Sequence, residues 1–162
     1  MSRGNATKKE RLIEELGEQF RISGINDIAF DEVVAERLGI NRTDLNCMDV
    51  IERHGGVTAG ELAAEAGLTT GAVTAVADRL ERKGYVRRIR DTQDRRKVKL
   101  EVAPAFIAKA EKIYGPLFAE WSELMHRPTI EQLEAMLEFM RAGNEVKPRH
   151  IDRVRTMRFE SD

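Results

Sequence analysis

The chain has 162 residues, of which 41% are hydrophobic and 34% charged, with 27 Lys and Arg against 28 Asp and Glu and a net charge of −1. That length suits one domain, with or without dimerisation arms, and the apolar fraction is too high for wholesale disorder. No apolar run approaches the roughly 18 residues needed to span a bilayer; the first ten residues lack the apolar core of a secretory signal; and a single cysteine excludes an internal disulfide and fits a reducing cytoplasm.

Thr7-Lys8-Lys9-Glu10 is a capping-box pattern, because Thr7 can accept from the helix N-terminus while Glu10 reaches back. Leu12, Ile13, Leu16 and Phe20 then recur at helical spacing. The pattern runs to Leu38, weakened at Gly17 and Gly24, and Gly39 is the expected stop. A second helix starts at Asn41, an N-cap, with Asp44 in its first turn. Leu45, Met48, Val50 and Ile51 supply its apolar positions, and Gly55-Gly56 ends it. Thr58 and Glu61 form another capping box, opening a short helix with Leu62, Ala63 and Ala66 inward. After the turn Gly67-Leu68-Thr69 a fourth helix runs to Gly84, with Val73, Val76, Ala77 and Leu80 inward. Two short helices joined by such a turn are a helix-turn-helix.

The period then changes. Val98, Leu100 and Val102 alternate with Lys97, Lys99 and Glu101, which marks a half-buried strand. Residues 85–90 are its antiparallel partner, and residues 91–96 form a charged hairpin tip. Helix-turn-helix plus hairpin makes a winged helix. Pro104 suits the first turn of a further helix, which runs through Leu124 with a kink expected at Gly115-Pro116. Thr129 and Gln132 box the last helix, with Leu133, Met136, Leu137 and Met140 on one face and Gly143-Asn144 as its expected close. The fold class is therefore mainly α with a small β-hairpin wing. The expected divisions are 1–40, an N-terminal dimerisation region; 41–103, a winged helix-turn-helix lobe; 104–146, C-terminal dimerisation helices; and 147–162, a basic tail.

The near-zero net charge conceals a segregation. Residues 1–69 carry −5, residues 70–100 carry +6, residues 101–146 carry −4 and residues 147–162 carry +2. Phosphates respond to the local field, so the basic segment 70–100 is the one that matters for a polyanionic partner. Within it, the stretch Asp78-Arg-Leu-Glu-Arg-Lys-Gly-Tyr-Val-Arg-Arg88 and the wing Asp91-Thr-Gln-Asp94-Arg95-Arg96 resemble the MarR family of transcriptional regulators. The order of elements agrees with that family over roughly residues 8–143. The resemblance implies a dimeric winged-helix DNA-binding protein whose first and last helices interlock between subunits. It also implies cytoplasmic transcription regulation, a repressor relieved by a small aromatic or anionic effector, and no enzymatic activity.

Under this reading the N-terminal end of the fourth helix enters a major groove. There Thr69, Thr70 and Thr74 bond base edges or phosphates, and the Ala75 methyl meets a thymine methyl. Arg79 lies toward the outer face. At the hairpin tip Arg95 and Arg96 reach a narrow minor groove; in the family the arginine matching Arg96 does so, oriented by the residue matching Asp94. Arg87, Arg88, Arg90, Lys97 and Lys99 are assigned to backbone phosphates. The operator is expected to be near-palindromic, because a two-fold dimer presents two equivalent reading helices.

Phe30, Met48, His54, Trp121 and Met125 are candidate walls of an effector pocket, although such stripes at helical spacing are more often core. Cys47 sits among apolar neighbours with no second cysteine, so it reads as a buried structural residue and not as a redox sensor. His54, His126 and His150 are too far apart in sequence for a metal motif, and no cofactor is expected. A Gly-rich phosphate loop and a nucleophile elbow are both absent from the sequence. A winged helix serving only as a protein-interaction module is the competing class, and the arginine-tipped wing argues against it. Replacing Arg96 by Ala is expected to lose roughly 1–3 kcal/mol of operator affinity and to relax preference for A·T-rich flanks. Fluorescence anisotropy checks this, and equal affinity of the two proteins removes Arg96 from the reading set.

Overall fold

In the computed structural model the described residues are 7–90 and 97–158. The chain divides into two units, residues 1–113 and residues 114–162. No described helix is long and apolar enough to cross a membrane.

The first unit begins with α1 (Lys8–Leu38). Its capping box forms as the sequence predicts: the Thr7 amide donates to Glu10 Oε2 at 2.6 Å, and Thr7 Oγ1 accepts from the Glu10 amide at 3.2 Å. The helix passes through Gly17 and Gly24 and stops at Gly39, which takes the left-handed conformation (φ 63°) and donates to the Ala35 and Glu36 carbonyls. A positive φ there suits a residue without Cβ. Only the last turns of α1 are buried, at Val34, Ala35 and Leu38.

The helix α2 (Arg42–Arg53) is capped by Asn41, whose Oδ1 accepts from the Asp44 amide at 2.8 Å. It buries Leu45, Cys47, Met48, Val50 and Ile51. After it the strand β1 (Val57–Thr58) leads into α3 (Ala59–Ala66), whose capping box joins Thr58 and Glu61. The helix α4 (Thr70–Arg82) is capped by Thr69 and buries Val73, Val76, Ala77 and Leu80, the face its sequence spacing predicts. The strands β2 (Val86–Arg90) and β3 (Val98–Val102) pair antiparallel with Arg88 opposite Leu100.

The two-residue strand β1 is not among the elements expected from sequence. It adds to the free edge of β3, giving the order β1-β3-β2, with Val57 opposite Leu100. Gly56 makes this approach possible. A Cβ there would lie 2.9 Å from Glu101 Cγ, and its φ is 121°. The strand alternation is also less regular than expected: Leu100 is buried, Val102 is half-buried and Val98 is exposed.

The helix α5 (Pro104–Met125) starts in the first unit and ends in the second. Its opening turn is tied to the lobe by Tyr85. The buried Tyr85 hydroxyl donates to the Leu38 carbonyl at 2.9 Å and accepts from Lys109 Nζ at 3.0 Å. Its ring meets Phe106 at 5.3 Å between centroids and lies beneath the Lys109 ammonium. One side chain thus joins the end of α1, the start of the hairpin and the start of α5.

In the second unit α5 continues through Pro116, and Tyr114 and Phe118 stack at 5.7 Å. The helix α6 (Ile130–Thr156) opens on the expected Thr129–Gln132 capping box. It does not close at Gly143-Asn144. It runs on through Gly143, Asn144 and Pro148 to Thr156, so most of the expected basic tail is helix. The reason is local. Gly143 is not among the glycines with positive φ, so it makes no left-handed cap, and an interior glycine costs a helix only about 1 kcal/mol.

Leu62 is completely buried on the short helix α3. Leu62→Ala is expected to destabilise the fold by about 2–5 kcal/mol through lost burial and a residual cavity. Urea unfolding followed by circular dichroism measures this. A loss below about 1 kcal/mol would show that the site collapses around the smaller residue.

Candidate nucleic-acid interface

The α3–α4 pair is built around a tight turn. Gly67 closes α3 at φ 65°, and the Leu68 amide donates to the Ala63 carbonyl at 2.9 Å. Thr69 Oγ1 then accepts from the Ala72 amide at 3.3 Å, so its side-chain oxygen caps α4. Beyond the cap Thr70, Thr74 and Ala75 are exposed, on the side of α4 away from Val73, Val76, Ala77 and Leu80. Thr74 Oγ1 donates to the Thr70 carbonyl at 3.1 Å, which leaves its oxygen lone pairs able to accept. The outer face at the start of α4 therefore offers hydroxyls, a methyl group and helix-terminal N–H groups, a set suited to base edges and phosphates.

The arginines divide differently from the sequence expectation. Arg79 turns to α2 and pairs with Asp44, with Nη2 2.6 Å from Oδ1 and Nε 3.2 Å from Oδ2. Asp44 is only 2% exposed. A buried carboxylate without a partner would be costly, and a two-pronged guanidinium satisfies it. The pairing holds Arg79 more firmly in its charged form, chiefly through the Asp44 hydrogen bonds. Arg79 thus spans α4 and α2 and is not presented outward as a free cation.

Arg88, on β2, reaches back to α4. Its Nη2 lies 2.5 Å from Asp78 Oδ1, and its Nη1 pairs with Glu81. These contacts raise its affinity for its proton, with the Asp78 hydrogen bond the largest cause. Arg87 pairs across the hairpin with Glu101 at 3.1 Å. Arg90 and Lys97 are exposed at the two strand ends that border the wing tip, and Lys99 is half-buried on β3. Asp94, Arg95 and Arg96 lie outside the described residues. Sequence spacing identified the exposed threonine face but missed Asp44, Asp78 and Glu81 as partners. Asp44 and Arg79 are 35 residues apart, beyond the reach of any local pattern.

The expected pocket residues also take separate roles. Met48 is 1% exposed and belongs to the packed core of α2, so it is not the wall of an open pocket. His54 caps the end of α2, and its Nε2 stands 2.8 Å from Glu65 Oε2, lowering the Glu65 pKa through that hydrogen bond. Phe30 on α1 and Trp121 and Met125 on α5 are exposed. An open cleft of about 420 Å³ in the first unit is lined instead by Gly39, Ile40, Asn41, Asp44, Arg79, Arg82 and Lys83. Among the described residues no group of three or more His, Cys, Asp or Glu side chains is placed to hold a metal ion.

Cys47 is fully buried beside the Asp44–Arg79 pair. Its thiol is pushed up to about 11, first by burial and then by the Asp44 charge, with Arg79 opposing. A thiol held neutral and away from solvent is a poor nucleophile.

A family model described as MarR family matches residues 40–98. The HTH-type transcriptional regulator YcgE of Bacillus subtilis is 35% identical over 136 residues, covering 84% of this chain and 88% of that protein. The HTH-type transcriptional repressor MdtR of the same organism is 31% identical over 78 residues, covering 48% of this chain and 50% of that one. Among solved structures, Streptococcus pneumoniae FabT in complex with DNA superposes with a TM-score of 0.62 at 24% identity, over 82% of this chain and 95% of that one.

The buried thiol generates a direct expectation. Iodoacetamide at pH 8 should leave Cys47 unlabelled in the native protein and label it fully in denaturant. Because the folded pKa is raised, this group's contribution to stability is intact below the ordinary thiol value and declines as pH rises toward 11. Rapid native labelling, followed by mass spectrometry, would contradict the burial argument.

Proposed function

The chain belongs to the MarR family of winged-helix transcriptional regulators, and from that premise we propose that it acts as a homodimeric, sequence-specific repressor released by a small effector. The observation that carries this reading is the exposed threonine face at the start of α4. It is presented on a helix whose opposite side is locked into the core and whose two arginine pairs fix it to α2 and β2. Such a helix can enter a major groove without paying for its own ordering on contact. Thr69, Thr70, Thr74 and Ala75 read or position there. Arg90 and Lys97 meet phosphates beside the wing, Lys99 contributes to the same field, and Arg95 and Arg96, oriented by Asp94, take the minor groove. The DNA complex of FabT and the repressor name of MdtR support the choice of partner and of sign.

The dimer follows from exposure. Leu12, Ile13, Leu16 and Phe20 on α1 are each about half exposed, as are Met136, Leu137, Phe139 and Met140 on α6, which buries no residue at all. Apolar surface on this scale, set on long helices, calls for a partner. A second copy related by a two-fold axis covers such faces and places two recognition helices roughly 34 Å apart, one turn of DNA. The effector in this reading is small and aromatic or anionic. It works by binding one spacing of the two reading helices better than another; Phe30 and His54 of the first unit, and separately Trp121 and Met125 of the second, are exposed candidate contacts.

Selection of bound duplexes from a random pool tests the proposal. The expected product is an inverted repeat whose half-site centres lie about 10 base pairs apart. Light scattering at micromolar concentration is expected to give the mass of two chains. Absence of any enriched sequence would overturn the operator reading, and a monomer would overturn the symmetry.

A further inference from the structure

We propose that Arg88 is a positioning residue for DNA reading: its guanidinium forks between Asp78 and Glu81 to fix the angle of α4 to the wing strand and to mask two carboxylates that would otherwise face the phosphate backbone. The inference rests on the DNA-binding reading above and assigns Arg88 a role different from that of a phosphate contact.

Three observations carry it. Asp78 and Glu81 are one turn apart on α4 and so share a face. Arg88 is the residue that meets both, through Nη2 to Asp78 Oδ1 at 2.5 Å and through Nη1 to Glu81. Arg88 also sits in the middle of β2, paired in register with Leu100, which is buried. The fork therefore joins the C-terminal half of the recognition helix to the middle of β2, the edge strand that leads into the wing. A winged helix reads two grooves at once, so the angle between its helix and its wing is a binding variable.

The chemistry of the fork is specific. A planar guanidinium can address two carboxylates with separate N–H pairs, whereas an ammonium is a point charge that satisfies one geometry at a time. Both acids and the arginine are about half exposed, and ion pairs in that setting add little to stability. The contribution of this fork is therefore expected in DNA binding and in the local stability of the α4–β2 contact, with little effect on global stability. With Arg88 removed, Asp78 and Glu81 stand uncompensated on a helix that must approach a polyanion.

A double-mutant cycle tests the assignment. Four proteins are compared by fluorescence anisotropy on the duplex selected above and on a random-sequence duplex: the wild type, Arg88→Ala, Asp78→Asn with Glu81→Gln, and the triple variant. Arg88→Ala is expected to weaken binding to the selected duplex by about tenfold in the wild-type background and by less than about twofold once both acids are neutral. Its ratio of selected to random affinity should fall, with the thermal midpoint unchanged. Arg88→Lys should recover only a minor part of the loss. An equal loss in both backgrounds, or near-complete recovery by lysine, would make Arg88 a phosphate contact and overturn the proposal. Amide hydrogen exchange needs no DNA and keeps the two readings distinguishable. Arg88→Ala should speed exchange at the end of α4 and along β2, and unchanged exchange overturns the positioning role. A wild type that binds neither duplex while the exchange result holds would overturn the DNA-binding reading and leave the helix–wing brace standing.

Discussion

The reading lobe depends on one ion pair. Asp44 stands in the first turn of α2, almost without solvent, and Arg79 reaches it from α4 with two hydrogen bonds. Because a carboxylate in that position needs a charged partner, α4 has a fixed register on α2. The apolar contacts of Val73, Val76, Ala77 and Leu80 tolerate small sliding, but a two-pronged guanidinium pairing does not. The same pair sets the surroundings of Cys47, where the acid and the arginine act on the thiol in opposite directions. The buried acid thus pins α4 to α2 and adds to the burial that keeps the Cys47 thiol protonated, while the apolar face of α4 turns the threonines outward.

Charge in residues 70–100 is therefore organised in two layers. Arg79, Arg87 and Arg88 are each engaged by a carboxylate within the lobe. Their formal charges enter the net value of the segment, yet they act first as internal braces. Arg90 and Lys97 stand exposed where the hairpin leaves the sheet. Arg82 and Lys83 stand exposed at the end of α4, whereas the start of that helix carries neutral hydroxyls and its own N-terminal dipole. That division suits a recognition helix, since base edges are read by geometry and phosphates by charge.

Much of this architecture was legible in the sequence because its signals are local. The capping boxes at Thr7, Thr58 and Thr129, the Asn41 cap and the Gly39 stop each involve residues within one turn, and all form. The inward face of α4 was equally readable from its spacing. Features that depend on distant partners were not. Arg79 looked outward on a helical projection because Asp44 is invisible to any short window. The strand β1 is two residues long and exists only where β3 offers an edge. The continuation of α6 past Gly143 turned on whether a glycine adopts a left-handed conformation, which composition does not decide. Met48 looked like either core or pocket wall, and packing chose core. The arginines of the wing tip, Arg95 and Arg96, were singled out by the sequence but fall outside the described residues.

The Tyr85 hydroxyl has a mechanical consequence. By holding the Leu38 carbonyl and the Lys109 ammonium together, it bolts the last turn of α1 to the base of the hairpin. The Gly39 junction is thereby bridged by a buried hydrogen bond as well as by the chain itself. With 31 residues, α1 is a lever of about 46 Å at the usual helical rise. A tilt of about 5° at one end displaces the other by about 4 Å over that length. Most of this helix carries no buried side chain, so its inclination is open to whatever covers its apolar face. A tilt imposed on that exposed length would reach the winged lobe through the Tyr85 contact as well as through the backbone at Gly39.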